Sequence, residues 1–250
     1  MVDKRIEKLA DVLVNYSVSL KKGEKILIEA KGIDYMLVNA IVKEVYKAGG
    51  LPFVELFDNR ITRELLMGQS EELAKLRAKY DGARMAEMDA YIGIRGGDNS
   101  FELSDVPADK MQAESEFYSH PVHHELRVKK TKWVILRYPN PGMAQLCSTS
   151  TDAFEKFYFD VCNLDYSKMD KAMDSLKALM DRTDKVRLVA KDTDLSFSIK
   201  GIGAVKCGAY EHSRRRGVYS AREEQRERQN HLQRALHSER NEVRKRFAHL

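Results

Sequence analysis

Residues 131–162 read TKWVILRYPNPGMAQLCSTSTDAFEKFYFDVC, joining a buried-strand signal, a proline-punctuated loop and an amphipathic helix. Trp133, Val134, Ile135 and Leu136 form a short apolar run stopped at Pro139 and Pro141, where proline removes backbone donors. Such a run suits a strand covered on both faces, and a central place in a sheet is expected for it. From Thr151 the period changes. Phe154, Phe157, Tyr158 and Cys162 recur at three and four residues after a Ser/Thr cap, with Glu155 in the first turn, which predicts a core-facing helix.

Working outward, the same alternation repeats. Ile6, Leu9, Ala10, Leu13 and Val14 space out as one helical face that ends before Lys21-Lys22-Gly23. Lys25 to Ala30 reads as a buried strand. Asp34 can cap a helix with the face Leu37, Ala40, Ile41 and Val45, which Gly49-Gly50 would stop. Pro52 to Phe57 gives a second strand, Ile61 to Glu87 a long helix or helix pair, and Ala90 to Ile94 a third strand. A helical stretch around Ala108 to Tyr118 then leads into the strand of residues 132–136. Strands alternating with helices predict an α/β fold: a mostly parallel, doubly wound sheet flanked by helices. Beyond a polar helix between Leu164 and Lys185, Val186 to Ala190 and Leu195 to Lys200 alternate around Asp192-Thr193-Asp194 as a hairpin. They are expected to open a second, β-rich domain, too short here to close a core of its own.

Several ordered strings carry a family resemblance: GEKILIEA at 23–30, HPVHHELRVKKTKWVILRYP at 120–139, NPGMAQ followed by STDAFEKFYFDVC, and LSFSIKGIGAVKC at 195–207. Together they resemble the M29, or aminopeptidase T, family of metal-dependent aminopeptidases up to Cys207. The resemblance implies residues 1–184 as an amino-terminal α/β domain and 185–207 as the beginning of a catalytic domain. It also implies a peptide substrate and a homodimer for full-length relatives. Two divalent ions of the zinc or cobalt type would be held there by Glu, Glu, His and Asp ligands in a carboxyl-terminal domain that this chain lacks. In such enzymes the ions polarise the scissile carbonyl and lower the pKa of a bridging water.

Charge divides the chain at the same point. Residues 1–207 hold 32 Lys+Arg and 32 Asp+Glu, whereas 208–250 hold 11 and 6, which supplies the whole net charge of +5. Before 208 there are 22 Lys and 10 Arg; after it, 1 Lys and 10 Arg, no Asp and four of the seven His. Cys147, Cys162 and Cys207 share no C-x-x-C spacing and fit a reducing compartment. The start, MVDKRIEKLADVL, has acidic residues and no long apolar run, so a cytoplasmic protein without signal peptide or membrane span is expected.

No residue is assigned a catalytic, metal-binding or cofactor-binding role. Arg95-Gly96-Gly97-Asp98-Asn99 follows a strand where an open α/β sheet binds phosphates, but it is neither G-x-G-x-x-G nor a P-loop, and a plain turn is the preferred reading. His120, His123, His124 and Glu125 are the tightest set of possible ligands before the tail. His120 and His124 have helical i, i+4 spacing, yet Pro121 stands between them as an expected helix start, and His124-Glu125-Leu126-Arg127-Val128 has no second His to complete H-E-x-x-H. Surface or hydrogen-bonding histidines are the expectation. Asp98, Glu102 and Asp105 read as solvated loop acids.

The tail offers two functional readings. Arg222, Arg226, Arg234, Arg240, Arg244 and Arg246 could neutralise nucleic-acid phosphates, making the chain a nucleic-acid-binding α/β protein; its aromatics, Tyr210, Tyr219 and Phe247, lack the spacing of a stacking surface. The preferred reading is a shifted frame. Read from its second base, each codon from Cys207 to Tyr219 can yield Ala-Gly-Arg-Met-Asn-Ile-Pro-Asp-Gly-Glu-Val-Tyr-Thr, which resembles the family segment after Lys-Cys. On that reading residues 208–250 are out of frame, the first metal ligand is the hidden Glu, and the chain binds no catalytic metal. Sequencing the gene from about codon 195 past codon 250 tests this: an adjacent frame continuing through Asn-Ile-Pro-Asp-Gly-Glu into a long open stretch is expected. Its absence makes the Arg-rich tail genuine.

Overall fold

A computed structural model describes residues 3–204 and 206, which fall into two compact units, the first running to Met169 and the second beginning at Asp170. In the first unit Asp3 caps α1 (Lys4–Asp11) by accepting from the Arg5 amide, and the helix runs on as a π-helical turn over Val12–Ser17. There follow β1 (Lys25–Lys31), α2 (Tyr35–Lys47), β2 (Leu51–Phe57), α3 (Asn59–Met67), α4 (Glu71–Ala86) and β3 (Ala90–Arg95). α5 (Ala108–Glu114) continues as a π-helix over Ser115–Val128 before β4 (Lys132–Arg137), α6 (Pro141–Leu146) and α7 (Thr151–Cys162). Asp34, Asp58, Ser70, Asn140 and Ser150 each accept an amide N–H at the start of a helix, as expected for Asp34 and for the Ser/Thr cap before residue 154.

The four strands form a parallel sheet in the order β2-β1-β3-β4. Alternation along the strands sorts residues to two faces. On one face Ile26, Ile28, Ala30, Ala90, Ile92 and Ile94 join α1, α2 and α7 in the larger core. On the other, Leu27 and Tyr91 pack with Met85, Met88 and Val122, with Trp133 and Leu126 beside them.

Three sequence expectations are corrected. The strand of residues 132–136 is not central: among the described residues β4 borders the sheet, because the next two strands pair only with each other. Its apolar run is explained for three of the four residues, since Val134 and Leu136 lie against one core and Trp133 against the other, while Ile135 is 37% exposed. Second, α7 is turned so that Phe154, Tyr158 and Phe159 are buried while Phe157 is 63% exposed. The core contacts of Tyr138 with the Tyr158 and Phe159 rings, both at centroid distances of 6.4 Å, set that rotation. Third, Pro121 does not start a helix but lies inside the π-helical stretch. In α-helical winding its ring would strike the carbonyl four residues back, and the wider π turn relieves that clash.

At the other border β2 leaves Leu51, Phe53, Val54 and Leu56 exposed, so the second strand is far less covered than β1. α8 (Tyr166–Arg182) starts before the boundary at Asp170, and the second unit continues with the antiparallel hairpin of β5 (Lys185–Ala190) and β6 (Thr193–Ser198). The hairpin turns at Lys191–Asp192, where Asp192 takes φ 58°, so Thr193 and Asp194 begin the returning strand.

The rotation of α7 is open to a direct check by urea unfolding. Phe159→Ala is expected to cost about 3–5 kcal/mol, as for a fully buried aromatic, whereas Phe157→Ala stays within about 0.5 kcal/mol of the parent.

Candidate functional site

A carboxylate lies inside the sheet. Glu29, in the middle of β1, is 2% exposed and is reached from three sides. The Arg127 guanidinium donates to Oε2 at 2.8 Å, the Tyr91 hydroxyl donates to Oε1 at 3.1 Å, and Arg95 Nη1 and Lys31 Nζ stand 2.9 and 3.4 Å from Oε1. Arg127 also lies over the Tyr91 ring, 4.6 Å from its centroid. Burial pushes the Glu29 carboxyl up, but the charges of Lys31, Arg127 and Arg95 outweigh it and hold the pKa at about 2. Three cations around one carboxylate leave the cluster with excess positive charge.

Strand register brings that charge to the carboxyl edge. Lys31 is aligned with Arg95, and Arg95 with Arg137; equal parity puts all three on one face, one row beyond Glu29. Above them the loop after β3 passes close to the loop after β1. Gly32, at φ +62°, lets the chains approach so that an added Cβ would stand 2.8 Å from the Gly96 carbonyl oxygen. Asn59, the first residue of α3, donates to that oxygen at 2.9 Å. Arg63 chelates Asp105 and thereby ties α3 to the far end of the loop, with Nε to Oδ1 at 2.8 Å.

The result is a cleft of about 280 Å³ bordered by Asn59, Arg95, Gly96, Gly97, Asn99, Glu102, Arg137 and Asn140. It opens where the chain leaves β1 toward β2 but leaves β3 toward β4, the switch point at which open α/β sheets bind ligands. Of the loop acids expected to be solvated, Asp98 and Asp105 are exposed, Asp105 while paired with Arg63, and Glu102, partly exposed, accepts from Asn99 at 3.0 Å. A larger groove of about 500 Å³ between α1 and α2 is lined by Glu7, Asp11, Lys43, Glu44 and Lys47, but Glu44 is already engaged by Asn15 and Lys47.

The histidines form a row, not a ligand set. The rings of His123 and His124 meet edge to face at 5.1 Å, those of His120 and His124 are 6.0 Å apart, and Glu125 takes both of its oxygens to Lys129 at 2.7 and 2.8 Å. Burial first, then the charges of His124, Arg127 and Arg95, pull the His123 pKa down to about 4. Among the described residues no group of three His, Cys, Asp or Glu side chains is arranged to hold a metal ion, so their donors do not fit a two-metal hydrolytic centre. The Arg-rich segment on which nucleic-acid binding was considered lies outside the described residues.

A family model described as thermophilic metalloprotease (M29) matches residues 2–213. The chain belongs to the M29 metalloprotease family. Its match extends six residues beyond Cys207, where the resemblance was expected to stop. Among solved structures, wild-type AmpT from Thermus thermophilus is similar at 17% identity and a TM-score of 0.59, over 83% of this chain and 58% of that one, a likeness of fold. This M29 chain thus spans under two thirds of the length of AmpT. CurK enoyl reductase follows at 13% identity and a TM-score of 0.26, over 56% of this chain and 44% of that one, and carries no argument. No curated protein is significantly similar in sequence. No described helix is long and apolar enough to cross a membrane.

Sequence reading missed Glu29. The available signal was a lone acid inside the apolar KILIEA run, which demands a buried counter-charge. Acid titration of stability tests the cluster. Both groups have folded pKa values below their ordinary ones, so stability is lost as pH falls: through about 6.5 to 4 for His123 and about 4.5 to 2 for Glu29. Thermal melts should show His123→Phe flattening the upper window. Glu29→Leu should remove the lower one and cost about 3–5 kcal/mol at neutral pH by leaving the buried Arg127 unpaired.

Proposed function

We propose that residues 1–207 are the amino-terminal part of a metal-dependent aminopeptidase, a hydrolase that removes amino-terminal residues from peptides. The observation that carries this reading is the M29 match over residues 2–213. The parallel sheet, shared in fold with AmpT, supports it. In this reading residues 1–184 form the amino-terminal sheet domain, and the hairpin at 185–198 belongs to the opening of the catalytic domain.

The ions supply Lewis-acid activation of the carbonyl and of a water when bound. Their ligands are assigned, on the family resemblance, to the carboxyl-terminal domain. With residues 208–250 read as out of frame, the 250-residue chain alone hydrolyses no peptide. A cytoplasmic location, supported by the unpaired Cys147 and Cys162, and a homodimer for the full-length form complete the proposal.

The test is a peptidase assay of the purified 250-residue chain with zinc, cobalt or no added metal, beside a chain in which the frame is restored after codon 207. Release of amino acids only by the restored chain with metal is expected. Metal-dependent release by the 250-residue chain overturns the inactivity, and no release by a folded restored chain overturns the aminopeptidase reading.

A further inference from the structure

The carboxyl-edge cleft has a chemistry of its own, independent of the peptidase reading. Its charge is unbalanced. Arg95 shares Glu29 with Arg127 and Lys31, and Arg137 has no ion-pair or hydrogen-bond partner among the described residues although it borders the cleft. The carboxylate on the cleft wall, Glu102, is engaged by Asn99. The asparagines are likewise spent on the frame: Asn59 holds the Gly96 carbonyl, and the Asn140 amide donates to Tyr138 O at 3.1 Å while its oxygen accepts from the Met143 amide.

The backbone, in contrast, keeps donors available. Among the described residues the Gly96 N–H goes to Lys31 O at 2.8 Å, whereas no carbonyl accepts the N–H of Gly97, Asp98, Asn99 or Ser100. Gly97, on the cleft border, sits at φ +125°, a conformation open to glycine. Successive backbone N–H groups beside guanidinium charge make a concavity suited to an anion. The two arginines come from paired positions on adjacent strands, about 5 Å apart along the hydrogen-bonding direction, a spacing that lets both address one oxyanion. A volume of about 280 Å³ admits such a group with a small body attached.

We propose that the cleft between the ends of β1, β3 and β4 binds an oxyanion, the phosphate or carboxylate group of a small molecule, through Arg137, Arg95 and the backbone N–H groups of residues 97–100. Arg137 is the specificity-bearing charge, because the other cations already serve Glu29. The position at the switch point explains why the loop after β3 spends its side chains on holding its own shape: the backbone and the two arginines are the recognition surface.

Calorimetric titration of the full 250-residue chain with sodium phosphate, and separately with sodium acetate, against sodium chloride at matched ionic strength tests this. Saturable binding that Arg137→Ala weakens about tenfold or more, and that Arg187→Ala leaves unchanged, is expected. Arg187 is an exposed arginine of the hairpin that controls for general charge, as the Arg-rich tail is common to all three proteins. A response to phosphate alone assigns a phosphate-bearing ligand; a response to acetate, alone or equally, assigns a carboxylate. Binding no stronger than in chloride, or equal in a folded Arg137→Ala variant, overturns the proposal. Amide NMR of the unmutated chain gives a second reading: phosphate or acetate should shift the resonances of Gly97 to Ser100, and shifts confined to residues 208–250 overturn it without any variant.

Discussion

Everything in the first unit is arranged around the burial of one carboxylate. An ionised group in an apolar interior is tolerated only when charged and hydrogen-bonding partners replace water, and Glu29 draws its partners from three elements: Lys31 of its own strand, Arg95 and Tyr91 of β3, and Arg127 of the π-helical segment. The cluster therefore fixes how that helix lies over the sheet as well as which strand neighbours β1. It also permits the like charges of Lys31 and Arg95 to stand side by side in register, an arrangement that would otherwise be unfavourable, because the shared anion lies one row below.

The same cluster decides the character of the sheet's carboxyl edge. Of the three cations around Glu29, Arg95 reaches the cleft, where it stands beside Arg137 at the point where the connections diverge. Close approach of the Gly32 and Gly96 loops holds the rim, with Asn59 and Arg63 of α3 bracing it from one side. The site thus depends on backbone proximity and residual charge, not on a motif of spaced side chains. Membership of the M29 metalloprotease family rests on the match over residues 2–213, whereas the cleft belongs to the sheet unit itself.

Local winding and edge exposure follow from packing. The π-helical course over Ser115–Val128 carries Pro121 in its interior while still bringing Val122 and Arg127 to the sheet; an ordinary helix would have broken there. At the sheet borders, β4 is apolar with Trp133, Val134 and Leu136 against the two cores and Ile135 partly in solvent, while β2 is apolar with Leu51, Phe53, Val54 and Leu56 in solvent. Apolar strands therefore occupy both borders of this sheet, and hydrophobicity alone does not locate a strand within it.

The sequence by itself determined the alternation of strands and helices, the capping at Asp34 and Ser150, the hairpin after residue 185 and the family, since each is encoded within a few residues or in a contiguous string. It did not determine that β4 lies at a border, that Phe159 and not Phe157 faces the core, or that Glu29, Arg95, Arg127 and Tyr91 meet. Those residues are separated by as many as 98 positions, and their meeting depends on strand order and register, which a period of two leaves open. The loop at 95–99 was legible as a turn in the right place, but its chemistry was not: only when register aligned Arg95 with Arg137 did two distant arginines become one charged edge, because parallel pairing sets neighbours across strands that no local pattern records.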